Sequence, residues 1–271
     1  MAVTGPPPEP LADALLHYWP SALDQRMIST ALGPWRALTE PTYYGLDRIP
    51  ADGAVLLVGN HTVLGMLDMP LMLGEIHRVT GRFVRGMADH AHFAVPVWRD
   101  VLVRQGGVRG TPENCRALLG AGEAVLVYPG GGREVAKRKG EKYQLLWKQR
   151  MGFARLAIEA GCPIVPFAAV GAEESYDILL DADSPVFAPL RGLIDLAGGR
   201  GELIPPLVRG IGPTPLPRPQ RFYFAFGEPI DTRPWAEGGE PGVAELRDHV
   251  RAAVEERITF LLAEREAAPD R

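Results

Sequence analysis

Runs in which every residue is apolar recur along the chain, and amphipathic stretches separate them. Such runs cover residues 54–59, 124–129 and 163–171, and each is bounded by Gly, Pro or a polar residue. Runs of this length are typical of strands that are buried on both faces of a parallel sheet. We therefore predict three central strands at these positions.

The remaining pattern adds shorter strands and several helices. We predict strands at 42–46, 82–87 and 221–230, and helices at 68–79, 91–103, 111–120, 145–160 and 243–261. Thr111, Pro112 and Glu113 mark one helix start, with a hydroxyl cap, proline in the first turn and an acid near the positive end of the helix dipole. Alternating strands and helices predict an α/β fold, a single domain with a largely parallel central sheet flanked by helices.

The N-terminal part has a different pattern. Apolar residues recur at helical spacing over 11–38, with Pro20 and Pro34 as breaks, which predicts two short amphipathic helices. We expect an N-terminal helical segment at 1–40 and the main domain at 41–271. The segment either packs on the main domain or contacts a membrane. The start lacks a basic region before an apolar core, so we expect no signal peptide.

Composition narrows the function classes. The 271 residues carry a net charge of −4, which does not favour a nucleic-acid partner. The only two cysteines, Cys115 and Cys162, lack disulfide or metal spacing and favour a reduced, cytoplasmic chain. No apolar run reaches the roughly 18 residues that a membrane span requires, so any membrane contact is expected to be peripheral.

Candidate chemistry gathers where the predicted strands end, which in a parallel sheet is one edge. The stretch VGNHTVLGMLDMP places Asn60 and His61 after the first run, with Asp68 seven positions beyond His61. A neutral imidazole can take a proton from a hydroxyl, and a carboxylate on its other nitrogen would fix its tautomer. The alternative is a structural histidine that caps a loop.

The second strand end supplies glycines and cations. Gly130, Gly131 and Gly132 follow the run at 124–129 and can bring backbone N–H groups close to an anion, although glycines also fill plain turns. Residues 133–150 contain seven basic residues and two acids, Glu134 and Glu141. This run could hold phosphates or meet anionic lipid, or it could be a solvated helix start.

Other reaction types find less support. His90 and His92 have spacing that suits a metal, but no third ligand is evident and a structural role is favoured, so we expect no metal. No Gly-x-Ser-x-Gly motif occurs, which argues against a serine hydrolase. The phosphate-binding loop of nucleotide hydrolases is also missing from the sequence.

The chain resembles the glycerolipid acyltransferases through three blocks in combination. These are the Asn60-His61 pair with a following acid, the block YPGGGRE and the block IVPFAAVG. The likeness is greatest to the branch that includes diacylglycerol-acyltransferase-like proteins, and it covers about residues 43–230. It implies that His61 is the general base and that Asp68 orients it. The substrate-binding residues that it implies are Asn60, Arg109, Gly130, Gly131, Gly132, Arg133 and Glu134, with Arg109 and Arg133 as the phosphate contacts.

Two departures from the family pattern bear on the site. Six residues separate His61 from Asp68 where the family has four, so the acid can reach the imidazole only if residues 62–65 form a loop, for which Gly65 is suited. Gly130 stands where the family has glutamate, and Glu134 follows four residues later. The missing acid leaves a neutral acceptor open.

The resemblance implies transfer of a fatty acyl group from acyl-CoA or acyl carrier protein to a hydroxyl of a lysophospholipid or other glycerolipid. No cofactor is expected, because acyl-CoA is a co-substrate. The partners would be the acyl donor, a lipid acceptor and a membrane surface, at the inner face of a membrane from the cytoplasm. The alternatives are a neutral acceptor such as diacylglycerol or a fatty alcohol, a lipid ester or thioester hydrolase, and a lipid-binding module without activity.

Overall fold

A seven-stranded sheet forms the centre of the protein, for which the computed structural model describes residues 21–196 and 200–268. The strands are β1 Thr42–Tyr44, β2 Val55–Gly59, β3 Val84–Ala88, β4 Val108–Arg109, β5 Ala124–Val127, β6 Ile164–Val170, β7 Asp177–Leu180, β8 Leu207–Arg209 and β9 Tyr223–Phe226. The order across the sheet is β1-β9-β6-β2-β5-β3-β4, and β7 pairs with β8 in a separate two-stranded antiparallel sheet. The predicted α/β fold with a mostly parallel sheet is confirmed.

Parallel pairing brings the ends of five strands to one edge of the sheet. Strand β2 pairs in parallel with β5 and β6, β5 with β3, and β3 with β4. Only β9 runs antiparallel to its neighbour β6, and β1 follows the direction of β9. The carboxyl ends of β2, β5, β3, β4 and β6 therefore surround the same space, which is where such sheets place their ligands.

Helices cover both faces of the sheet. Their bounds are α1 Ala22–Thr39, α2 Met69–Thr80, α3 Pro96–Arg104, α4 Pro112–Gly120, α5 Gly132–Val135, α6 Gly152–Ala160, α7 Ala188–Leu196 and α8 Gly239–Ala267. Apolar residues of α4, α6 and α8 form one core with one face of the sheet. Helix α2 buries Leu71, Met72 and Ile76 against the other face, where α1 adds Leu32 and Trp35. Burying apolar side chains on both faces explains why the central strands are apolar at every position.

The N-terminal prediction needs one correction. Residues 1–20 lie outside the described residues, so the first predicted helix is not tested. The second does not end at Pro34, because α1 continues to Thr39. The Trp35 indole donates a hydrogen bond to the Leu67 carbonyl at 2.9 Å, and the Thr39 hydroxyl donates to the Trp35 carbonyl. These contacts hold the last turn in place despite the N–H that proline lacks.

Two other helix predictions were too long. The helix expected over 91–103 is divided at Val95, because the residue before a proline avoids the helical region. Residues 145–151 are not helical either, although Leu145 and Trp147 are buried. Lys148 has a φ of +51°, a left-handed conformation that does not continue a helix. The 145–151 segment is therefore a loop that buries Leu145 and Trp147 and leads into α6.

Candidate active site

The His61 imidazole, at the end of β2, packs against Tyr128 and Gly65. Its ring stacks on Tyr128, with centroids 3.9 Å apart and planes inclined by 13°. Gly65 also packs against the ring, because a Cβ there would lie 2.4 Å from the His61 Cε1 and would force the ring to shift. Gly65 has a φ of +64°, and its N–H donates to the Thr62 carbonyl at 3.0 Å. The loop predicted from Gly65 is present, and it packs on the ring.

Asp68 closes this loop through Thr62 rather than through the imidazole. Its Oδ1 accepts hydrogen bonds from the Thr62 hydroxyl and from the Met69 N–H, both at 2.9 Å. The second bond makes Asp68 the cap of α2. Among the hydrogen bonds of the described residues, none joins Asp68 to the His61 ring. The geometry thus gives Asp68 a part in shaping the loop, a different part from the orienting contact predicted for it.

Glu134 holds the main chain of His61. The His61 N–H donates to the Glu134 Oε2 at 2.8 Å, and the Leu146 N–H donates to Oε1 at 2.8 Å. The Glu134 side chain is wholly buried, and burial raises its pKa to about 7. A side chain that is sealed from solvent with both oxygens occupied does not offer the direct substrate contact predicted for it.

The electrostatic surroundings keep the His61 imidazole neutral. Burial lowers its pKa to about 3, and the electrostatic influence of the neighbouring Lys137 and His92 lowers it further. Lys137 itself is 1% exposed and forms an ion pair with Glu173. A neutral ring has a free nitrogen lone pair at pH 7, which a general base requires. Lys137 is not among the site residues predicted from the sequence, which placed it in the basic run at 133–150 with the alternatives of phosphate binding, lipid contact and a solvated helix start.

Asn60 fixes the end of β2 to β6. Its side-chain amide donates to the Ala169 carbonyl and accepts from the Ala169 N–H, both at 2.9 Å, and its exposed fraction is 1%. These two bonds use both ends of the amide on the neighbouring backbone. Asn60 therefore anchors the strand that carries His61, whereas the sequence predicted a substrate contact.

The glycine turn and its arginines are braced within the protein. The Gly131 N–H donates to the Tyr128 carbonyl at 2.9 Å, and Arg150 donates to the Pro129 and Gly130 carbonyls at 2.8 and 2.6 Å. Arg133 binds both carboxylate oxygens of Glu141, at 2.9 and 2.5 Å. The Gly131 N–H is therefore already bonded to Tyr128. Arg133 is paired with Glu141, whereas the sequence predicted that it contacts a phosphate.

Arg109 lies away from His61. It ends β4, three strands across the sheet from β2, which corresponds to roughly 14 Å at the usual strand spacing. Its guanidinium lies over the Phe93 ring at 5.9 Å, and its buried Nε has no hydrogen-bond partner among the described residues. Among the described residues, no hydrogen bond or ion pair joins the Arg109 side chain to His61 or Arg133.

A cleft of about 230 Å³ opens beside the loop that follows His61. Val63 forms one wall, and the lysines at 137, 139 and 142 line another. Lys142 lies 3.6 Å from Glu174, and the Lys139 side chain is exposed. The cleft therefore joins the surroundings of His61 to a partly cationic surface.

The histidines after β3 do not form a metal centre. Trp98 donates a hydrogen bond to the His92 Nδ1 at 3.0 Å, and the His90 Nδ1 lies 3.2 Å from Asp89. Within residues 21–196 and 200–268, no group of three or more His, Cys, Asp or Glu side chains could hold a metal ion. The same residues contain no helix long and apolar enough to cross a membrane.

Comparison with known proteins shows which family the sequence of this site resembles. A model of the Acyltransferase family matches residues 40–170, the stretch that holds His61, Asp68 and Glu134. Phytyl ester synthase 2 of Arabidopsis thaliana is 33% identical over 253 residues, which cover 83% of this chain and 35% of that protein. Residues 40–170 of the chain thus match the acyltransferase family.

Two further relatives extend the comparison. A human DGAT1/2-independent enzyme synthesizing storage lipids is 31% identical over 158 residues, which cover 55% of this chain and 48% of the human protein. The crystal structure of the lysophosphatidate acyltransferase PlsC from Thermotoga maritima has the same fold, with a TM-score of 0.53 and 18% identity, over 91% of this chain and 81% of that one. The chain spans about a third to a half of the length of the plant and human relatives.

Proposed function

We propose that this protein transfers a fatty acyl group from a thioester donor to a lipid hydroxyl, with His61 as the general base. The observation that carries the proposal is a neutral imidazole, packed against Tyr128 and Gly65 at the edge where the parallel strands end. It lies in the segment that matches the family. The donor would be acyl-CoA or acyl carrier protein.

The reaction needs one proton acceptor and no covalent enzyme intermediate. The acceptor oxygen attacks the thioester carbonyl carbon while His61 takes the hydroxyl proton. The tetrahedral intermediate then expels the thiolate, the carbon–sulfur bond breaks, and the imidazolium returns the proton to sulfur. The products are an ester and a free thiol. Lys137 disfavours a long-lived imidazolium, so the proton is expected to leave His61 promptly.

The arginines favour an acceptor without a phosphate group. Arg133 is paired with Glu141, and Arg109 lies across the sheet over Phe93. We therefore propose a neutral acceptor, such as diacylglycerol or a long-chain alcohol, ahead of a lysophospholipid. The names of the plant and human relatives, an ester synthase and a storage-lipid enzyme, support this choice.

The test is a screen of acceptors with labelled acyl-CoA of several chain lengths, with products identified by mass. We expect acylated neutral lipid from the wild type and a loss of at least about 100-fold in kcat/KM for His61→Gln. The exposed His249 on α8 provides the control variant His249→Gln, which should keep its activity. Free fatty acid as the only product would indicate a hydrolase, and lipid binding without turnover would indicate a non-catalytic module.

Peripheral contact with a lipid surface is part of the proposal, because both product and acceptor are lipids. Exposed apolar side chains that could meet a lipid surface include Met66 in the His61 loop and Val97 on α3, which are 52% and 78% exposed. We expect the protein to sediment with neutral vesicles. Deletion of residues 1–21, which leaves α1 and its core contacts in place, tests the segment before α1 as the contact, and unchanged sedimentation of that variant would exclude it.

A further inference from the structure

We propose that Glu134 is a positioning residue for His61. We also propose that Gly130 and Glu134 form a matched pair: the Glu134 carboxylate occupies the space that a side chain at position 130 would need, so position 130 must be glycine. The catalytic part of this inference rests on the proposed function. The structural part concerns only how the chain fixes the backbone of His61.

The first observation is the space beside Gly130. A Cβ built there would lie 2.1 Å from the Glu134 Cδ, 2.3 Å from its Cγ and 2.4 Å from its Oε1. Real atoms do not approach so closely without a bond, so a side chain at 130 and the carboxylate at 134 exclude each other. The two positions compete for one volume.

The second observation is that the backbone at Gly130 does not itself require glycine. Gly131 has a φ of +49°, in the left-handed region that favours glycine, whereas Gly130 is outside that region. The side chain at 130 is therefore excluded by Glu134 and not by its own conformation. This separates Gly130 from the turn glycines with which the sequence groups it.

The third observation is what the carboxylate does in that volume. It accepts the N–H groups of His61 and Leu146, each at 2.8 Å, and so ties the end of β2 to the 145–151 segment. The short helix α5 begins at Gly132 and turns position 134 back over position 130. The acid that the family resemblance places at 130 is thus supplied from one turn further along the chain. A buried carboxylate with two N–H donors fixes the position of His61.

The exchange of positions provides the test. We expect Glu134→Ala to lower kcat by about 100-fold with little change in KM, because the reacting group is displaced while the substrate surface is kept. Gly130→Glu alone should also be impaired, because two side chains then occupy one volume. The double variants Gly130→Glu/Glu134→Ala and Gly130→Asp/Glu134→Ala return a carboxylate to that volume. We expect at least one of them to recover kcat to within about tenfold of the wild type.

A measurement independent of acyl transfer follows the ring itself. The His61 Cε1–H resonance, assigned by its loss in His61→Gln, should shift in Glu134→Ala and return in the recovering double variant. The Asp195 carboxylate also accepts a backbone N–H, from Gly201 at 2.8 Å, so Asp195→Ala is the matched control and should leave the resonance unchanged.

The outcomes separate the two proposals. If no acceptor is acylated but the resonance moves and returns as described, the positioning role stands and the proposed function fails. If the resonance is unchanged in Glu134→Ala, Glu134 does not position His61. If neither double variant folds or regains the wild-type resonance, the two positions are not interchangeable and the matched pair is refuted.

Discussion

Replacing Gly65 with alanine tests whether the fixed position of the imidazole matters. The new Cβ would lie 2.4 Å from the His61 Cε1, whereas carbon atoms pack at about 3.5 Å or more. Because Tyr128 stacks on the ring at a centroid distance of 3.9 Å and limits its movement, relieving this contact should displace the ring by about 1 Å. A misplacement of this size costs about 100-fold in rate, which corresponds to about 2.7 kcal/mol in the activation barrier.

The strain of the positive φ has to be separated from this displacement. Gly81, with a φ of +70° and no atom within 4 Å of its Cβ position, gives the control Gly81→Ala. Both variants should lose about 1–2 kcal/mol of unfolding free energy in urea from the left-handed conformation. Only Gly65→Ala should also lose kcat/KM in the acyl-transfer assay. Equal activity in the two variants would refute the claim that the ring position limits the rate.

Three further predictions concern the surroundings of His61. Thr62→Val removes the hydroxyl that donates a hydrogen bond to Asp68, so the unfolding free energy should fall by about 1–3 kcal/mol. The control Thr80→Val, which loses a hydroxyl bonded to a backbone carbonyl at the end of α2, should lose less. Lys137→Met combined with Glu173→Gln removes the positive charge nearest to His61, so the His61 pKa should rise above about 3, measured by NMR titration. A single Lys137→Met should instead lose about 3–5 kcal/mol in stability, because it leaves Glu173 buried and unpaired. Burial raises the Glu134 pKa from 4.5 to about 7, so the folded state holds this proton more tightly than the unfolded state. The wild-type unfolding free energy should therefore fall by roughly 3 kcal/mol as the pH rises from 4 to 8, relative to Glu134→Gln. A flat difference between these two proteins would contradict the burial of an ionisable Glu134.

The central strands and the long final helix could be predicted because their burial leaves a local pattern. Strands β2, β5 and β6 are apolar at every position, and α8 carries its apolar stripe at helical spacing. The pairing of β7 with β8 left no such pattern, since these strands are short and half exposed. The 145–151 segment misled the prediction for the opposite reason, because it places Leu145 and Trp147 in the core without being helical.

In the candidate site too, some features could be predicted from the local sequence and others could not. The position of His61 follows from the strand that precedes it, and the sequence is sufficient to place it at the sheet edge. The partners of Glu134 and Asp68 are not predictable in this way, because each depends on where a turn brings the carboxylate. Lys137 could not be separated from its solvated neighbours, since its burial depends on Glu173, 36 residues away.

The packing of His61 against Tyr128 and Gly65 also sets the direction from which a substrate must come. Because Tyr128 covers one face of the ring and Gly65 packs against Cε1, we expect another molecule to meet the ring at its edge. A hydroxyl on a slender, extended chain can reach a nitrogen in the plane of the ring, whereas a bulky or branched carbinol cannot. The packing of His61 against Tyr128 and Gly65 therefore selects acceptors by the width of the group that carries the hydroxyl. We expect primary alcohols to react faster than hindered secondary alcohols.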